Sequence, residues 1–251
     1  MLPTDIPLDE ELTDLCINQL KVLQKKQGFR FSIDAVLLAH FVQPTGKQRL
    51  LDLCTGSGVI PLLLAAHNPQ LQIDGMELQP EIADMAQRSV QYNHLENRIH
   101  IIQQDLTQLP VSYHQQYNWV VSNPPFFPLG TGVQSPNPQI ALARHEIACT
   151  LEQLIRCSAL CLKFHGHFAV IHRAERLPEL LTLCQNYQLA PYRLRMVHPL
   201  IHQPANLVLL EAIKGGRNAL TVMPPLAVYH SVSKITSDKS TYTDEVLAYY
   251  Q

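Results

Sequence analysis

No stretch of this chain approaches the roughly 20 consecutive apolar residues that a membrane-spanning helix requires, and the opening residues, with Pro3 and Asp5, do not read as a signal peptide. A cytoplasmic protein without membrane contact is expected. Positive charge is not in surplus either: 19 Lys and Arg stand against 21 Asp and Glu, for a net charge of −2 and a pI near 6.6. Composition alone therefore gives no sign of nucleic-acid binding. Organised cysteines are missing as well. Cys16, Cys54, Cys149, Cys157, Cys161 and Cys184 are scattered through apolar contexts, as reduced core residues are, and not spaced as a disulfide framework. Cys157 and Cys161 share a helix face, yet His165 and His167 are the only near candidates for further ligands, and the pairs match no usual zinc spacing. No metal is expected. What the chain does have is apolar residues, 46% against 16% charged, the proportions of a globular, soluble protein able to bury one sizeable α/β core.

The charges are unevenly placed. Asp5, Asp9, Glu10, Glu11 and Asp14 crowd the start, followed by Lys21, Lys25, Lys26 and Arg30. A second basic group, Arg173, Arg176, Arg193 and Arg195 with His198 and His202, comes late. Either group could meet phosphates, although a single surface cation is usually just solvated.

Residues 19–23 and 29–31 read as the arms of a short hairpin around a turn at 24–28, after an acidic lead. Ser32 is a suitable N-cap for an apolar helix over 33–42, and Asp34 in its first turn suits the helix dipole. From residue 49 the pattern alternates. Strands are expected over 49–54, 71–77, 99–104 and the stretch ending at Asn123, with helices over 57–67 and 80–94, the second opened by a proline. Beyond lie a helix over 151–162, a strand over 166–172, a helix over 174–187, and strands over 192–197 and 206–213. Such alternation predicts an α/β, Rossmann-like fold with a mostly parallel seven-stranded sheet flanked by helices and with ligands outside the carboxyl ends of its strands. Three regions are expected: an N-terminal hairpin and helix over 1–47, a catalytic domain over 48–230 on which they pack, and a peripheral polar tail over 231–251.

The apolar strand Tyr117-Asn-Trp-Val-Val-Ser-Asn-Pro-Pro-Phe126 stops abruptly at a double proline. Proline has no N–H to donate and forces an extended backbone before it, so the last carbonyls and the Asn123 side chain are left facing open space. The Asn123 amide oxygen and the Pro124 carbonyl are then two acceptors beside the flat ring of Phe126, which suits an exocyclic amine on an aromatic base. Upstream, Asp52-Leu-Cys-Thr-Gly-Ser-Gly58 sits where the first strand of the alternating pattern breaks into its helix. Gly56 and Gly58 let backbone approach a ligand that also meets the helix N-terminus. Glu77 ends the next strand, placed for both hydroxyls of an adenosine ribose, and Asp105 follows the third, placed to accept from an adenine amine. This set fits either a dinucleotide-dependent dehydrogenase or an S-adenosylmethionine (SAM) methyltransferase. The dehydrogenase fingerprint wants a small residue where Pro61 stands, and it leaves residues 123–126 without a purpose.

Together, Asp52 to Gly58, Glu77, Asp105 and Asn123-Pro-Pro-Phe126 resemble the class I SAM-dependent methyltransferases that act on planar nitrogen groups. More narrowly, Phe29-Arg-Phe-Ser-Ile-Asp-Ala-Val-Leu-Leu-Ala39, Thr55-Gly-Ser-Gly-Val-Ile-Pro-Leu-Leu-Leu64 and Ala143-Arg-His-Glu146 resemble the bacterial tRNA1(Val) adenine N6-methyltransferase family. One departure is Cys54, where many class I enzymes carry glycine; cysteine is small enough for the methionyl end of SAM to fit. The resemblance implies SAM as cofactor, RNA and above all tRNA as partner, and methyl transfer to the exocyclic N6 of an adenosine next to the anticodon. It implies that Asp52, Cys54, Thr55, Gly56, Ser57 and Gly58 hold the methionyl end, Glu77 the ribose, and Asp105 with Leu106 the adenine. Leu78 and Asn123 complete the cofactor contacts, and Ser32 and Asp34 close the pocket from the N-terminal side. Asn123, Pro124, Pro125 and Phe126 form the catalytic set. Phe126, Arg144, Lys25, Lys26 and Arg30 are expected to meet RNA, and residues 128–141 to form a lid over the target base.

Rivals share parts of this pattern. The same acceptors suit an adenine or a guanine N2 amine of ribosomal RNA. A glutamine N5-methyltransferase shares Asn-Pro-Pro but carries a helical domain ahead of its catalytic domain, for which about 30 residues leave no room. An NAD-dependent dehydrogenase and a non-catalytic RNA-binding protein complete the alternatives, and SAM titration separates them from the methyltransferases.

Overall fold

A computed structural model describes residues 6–27, 30–126, 149–217, 219–230 and 241–250. The chain opens with an antiparallel hairpin, β1 (Glu10–Asp14) on β2 (Lys21–Lys25), and then helix α1 (Ile33–Phe41). Next come β3 (Arg49–Leu53), α2 (Val59–His67), β4 (Gln72–Glu77), α3 (Pro80–Tyr92), β5 (Ile99–Gln103) and β6 (Tyr117–Ser122). After the undescribed residues 127–148 follow α4 (Leu151–Cys161), β7 (Leu162–Arg173), α5 (Leu177–Asn186), β8 (Leu189–His198) and β9 (Leu207–Lys214). These seven longer strands take the order β8-β9-β7-β6-β3-β4-β5. Strands β3 to β7 pair in parallel, and β9 runs antiparallel to both β7 and β8. Two-residue strands β10 (Thr221–Val222) and β11 (Leu226–Ala227) add to β8. The mostly parallel α/β sheet is thus as expected.

Alternation along the strands builds a core on each face. Leu50 joins the side chains of α1 and α2 on one side, while Leu51 and Leu53 join α4 and α5 on the other. Helices α1 and α2 are apolar nearly all round, which suits helices buried beneath other structure. From β3 the chain adds β4 and β5 on one flank, then returns to place β6 on the other. The carboxyl ends of β3 and β6 therefore bound the reversal point of the sheet, where open α/β folds form a crevice. Among the described residues no helix is long and apolar enough to cross a membrane.

One expectation needs correction. The hairpin forms earlier than the pattern suggests: the acidic segment is its first arm, the 19–23 segment contributes to its second, and Arg30 and Phe31 lie outside any strand. Its signal was hidden by a buried carboxylate. Glu10 is 4% exposed and accepts from both terminal nitrogens of Arg88 on α3 at 2.8 and 2.9 Å. The intervening turn takes left-handed backbone at Cys16, Asn18 and Gln19 and closes with the Leu15 N–H donating to Leu20 O at 2.9 Å. The expected tail has an anchor of its own. Residues 241–250 carry a short helix, α6 (Asp244–Ala248), whose Val246 is fully buried in the α1/α2 core, and Arg195 grips Glu245 at 2.6 and 2.9 Å.

Candidate active site

At the end of β3 the backbone turns through left-handed conformations at Cys54, Gly56 and Gly58, and Gly58 caps α2. Thr55 pins the turn. Its N–H donates to Met76 O at 3.0 Å, and its hydroxyl donates to Asp52 Oδ2 at 2.6 Å. Gly75 permits this approach, since a Cβ there would stand 2.9 Å from Thr55 Oγ1. Gly56 is the opposite case: no atom lies within 4 Å of where its Cβ would be, so its backbone is open on that side. The Gly56 N–H and the Gln79 N–H donate to the two oxygens of Glu77, each at 3.0 Å. Burial raises the Glu77 carboxyl above the usual range, opposed by these N–H groups. Asp52 is fully buried, and burial pushes it up to about 8, against the Thr55 bond and with a contribution from the Glu77 charge. Its Oδ1 is buried and has no hydrogen-bond partner.

These groups surround one cavity at the reversal point. Of the expected residues, Cys54, Thr55, Gly56, Ser57, Glu77, Leu78, Asp105, Leu106, Asn123, Pro125 and Lys25 form its wall. Asp52 is outside the wall but accepts from the hydroxyl of the wall residue Thr55, and Gly58 caps α2. Asp105 has a local task too: its Oδ1 accepts from the Thr107 N–H at 2.8 Å and hydroxyl at 2.7 Å, capping a turn of 3-10 helix. The Ser122 hydroxyl donates to Leu53 O at 2.7 Å, clamping the ends of β6 and β3 directly before Asn123. Sequence reasoning missed this clamp, along with wall residues Phe31, Gln79, Ile82, Gln104 and Cys149. Phe31 entered only as part of the expected hairpin and of a motif, and Ile82 and Met85 on α3 were not singled out, since a helix pattern does not say what its face meets. The Cys54 thiol is held well above its usual range by a hydrogen bond with Cys149 and by burial.

Other expected residues stand apart from the wall. Pro124 is buried, and the Phe126 ring lies edge-on to His172, centroids 5.4 Å apart at 62°. His172 is fully buried; its Nδ1 accepts from the Arg173 N–H at 2.9 Å, and burial drives its pKa down to about 4. Ser32 takes the N-cap position of α1 without a capping bond from its side chain. Instead that side chain bonds to Asp34, whose carboxyl is raised by burial and lowered by this bond and by the charge of Arg173. Lys25 pairs with Asp9 at 2.7 Å and Glu10 at 3.3 Å, Lys26 donates to Leu8 O at 2.8 Å, and Arg30 pairs with Glu11. Arg144 and the expected lid over 128–141 fall outside the described residues. Among the described residues no cluster of three or more His, Cys, Asp or Glu side chains is arranged to hold a metal ion.

Comparison with known proteins matches residues 32–186 to the methyltransferase small domain family. A protein of Porphyromonas gingivalis named tRNA1(Val) (adenine(37)-N6)-methyltransferase is 31% identical over 217 residues, 84% of this chain and 81% of the relative. A protein of the same name from Yersinia pestis is 34% identical over 154 residues, and the match spans 61% of each chain. In three dimensions the chain resembles a predicted O-methyltransferase from Agrobacterium tumefaciens, with a TM-score of 0.69 and 23% identity, covering 86% of this chain and 95% of that one. That likeness concerns the fold. The chain belongs to the methyltransferase small domain family, alongside relatives named tRNA1(Val) (adenine(37)-N6)-methyltransferase.

Proposed function

We propose that this protein transfers the methyl group of SAM to the exocyclic N6 of an adenosine in tRNA, the target being the adenosine next to the anticodon of tRNA1(Val). The observation that carries the reading is the juxtaposition at the sheet's reversal point: the glycine turn after β3 and the Asn123 acceptor after β6 stand on neighbouring strands and open into one cavity. The relatives' names support the choice of nucleoside and RNA.

The residues present fit the cofactor. Gly56 leaves backbone uncovered at the head of α2, Asp52 keeps a buried oxygen without a partner, and Glu77 is fixed by two N–H groups with further lone pairs to offer. Glu77 would take the ribose hydroxyls, Asp105 and Leu106 the adenine, and residues 54–58 the methionyl end. When bound, SAM supplies an electrophilic methyl group on a sulfonium. The chain's part is to bind, orient and exclude water. Asn123 Oδ1 and the Pro124 carbonyl accept the two amine hydrogens, which draws the nitrogen toward tetrahedral geometry and turns its lone pair out of the ring. Asn123 matters most as positive charge develops on that nitrogen, so it acts on the transition state. The extra proton of the methylated amine leaves to water readily, without a strong base. Most of the acceleration comes from holding the amine in line with the methyl group.

Incubation with labelled SAM and tRNA from a strain lacking the enzyme, followed by nucleoside analysis, tests the reading. N6-methyladenosine in tRNA is expected. Label in another nucleoside, or only in ribosomal RNA, would overturn it.

A further inference from the structure

Most of the arginines and one lysine of the two basic groups that stand out in the sequence are paired with carboxylates within the fold. Besides Lys25 and Arg30, Arg176 pairs with Glu179 at 2.6 Å, Arg193 with the buried Glu211, and Arg195 with Glu245 at 2.6 Å. Another set of cations, without carboxylate partners among the described residues, lies elsewhere. Lys163, Phe164 and His165 are exposed near the amino-terminal end of β7, and Lys214 and Arg217 lie at the adjoining end of β9. Among the described residues no carboxylate pairs with Lys163, Lys214 or Arg217. The Lys214 ammonium donates to Leu162 O at 2.8 Å, tying the two strand ends together.

This place is built outward. Leu162 faces Tyr117 and His167 faces Trp119, so four residues of β7 stand against one of β6. The surplus is expelled as a bulge that includes Lys163, Phe164 and His165, with left-handed backbone at His165. Bulges of this kind re-aim side chains and interrupt strand pairing, and they recur where a sheet serves a function. On the bulge Phe164 is 68% exposed, an unusual setting for so large an apolar group. Its ring is nevertheless seated. It rests on Gly215, where any Cβ would come within 2.2 Å of it, and beside the His165 ring at 4.2 Å. From His167, the first residue back in register with β6, to His172, β7 covers roughly 17 Å at a rise of about 3.3 Å per residue. That is beyond the reach of the nucleotide held at Asn123.

We propose that this bulge is a second RNA contact, in which Lys163 and Arg217 meet backbone phosphates and Phe164 stacks on an exposed base, in a part of the substrate remote from the methylated adenosine. The inference rests on the RNA-methyltransferase reading. Phosphate contacts by paired cations are electrostatic and salt-dependent, and aromatic stacking is tolerant of sequence. The test compares wild type, Lys163→Glu/Arg217→Glu and Phe164→Ala for affinity to full-length tRNA across a salt series, for the KM and kcat of methylation, and for melting temperature. The charge reversal is expected to weaken tRNA binding at least tenfold, with kcat at saturating tRNA unchanged. It should also flatten the slope of log affinity against log salt by about two. Phe164→Ala is expected to weaken binding several-fold with the salt slope unchanged. Wild-type affinity and slope in the double variant would overturn the proposal, as would a loss explained by a lower melting temperature. A wild-type protein that neither binds nor methylates tRNA would instead remove the reading beneath it.

Discussion

Asn123 and Glu77 answer to different measurements. Asn123→Ala keeps the strand and both prolines and deletes an acceptor felt chiefly in the transition state. Single-turnover methyl transfer should fall about 100- to 1,000-fold while SAM affinity, measured by calorimetry, holds. Glu77→Ala should lose SAM affinity, but it also strands the Gly56 and Gln79 N–H groups. Each such bond to a charged acceptor contributes about 1.5–3 kcal/mol, so a lower melting temperature is expected in the cofactor-free protein as well. Asp52 gives a pH signature. Its folded pKa is about 8 against an ordinary 3.8, so the folded state holds the proton more tightly and this carboxyl's contribution to stability declines as pH rises from about 4 to 8. Asp52→Asn cannot ionise and should gain on wild type across that window in cofactor-free thermal melts; parallel curves would show that the carboxyl does not titrate there. Strand-end residues such as these were legible because a break in an apolar run marks where a side chain meets the crevice. Phe31 and Ile82 were not, because which way a helix or loop residue points depends on what it packs against.

At the scale of elements, the parallel strands and their helices could be read within a few residues from alternation, whereas the hairpin was misplaced. A carboxylate at a buried strand position looks like a surface residue until its partner is known, and Arg88 lies 78 residues away from Glu10 in the chain. The pair makes a prediction. Glu10→Ala leaves Arg88 with Asp84 alone on α3, and losing one partner of a buried pair costs about 3–5 kcal/mol, here toward the low end because Arg88 keeps some solvent. Hydrogen exchange at the Leu23 N–H, which donates to Ser89 Oγ at 2.9 Å, should report a loosened hairpin. Protection equal to wild type would mean the hairpin is held by its apolar side chains.

At the scale of the molecule, the polar composition of the last 21 residues hid a few apolar anchors. Val246 is fully buried and the Tyr249 ring stacks on His40 at 4.2 Å, so ending the chain at residue 240 should uncover part of the α1/α2 core. Burying one valine is worth about 1.5–3 kcal/mol, and at this size a kilocalorie shifts the melting temperature by roughly 2–4 °C. A fall of several degrees is expected in scanning calorimetry, and an unchanged transition would show that α6 contributes nothing. The Ser122 clamp has a consequence of another kind. In the proposed site, the platforms for the two reactants would be adjacent strands of a single sheet, about 4.8 Å apart, and not two domains that close on each other. Their mutual aim is therefore set once, at folding, and is not renewed in each turnover. What can still vary, and so what control over this enzyme has to act upon, is admission to the crevice.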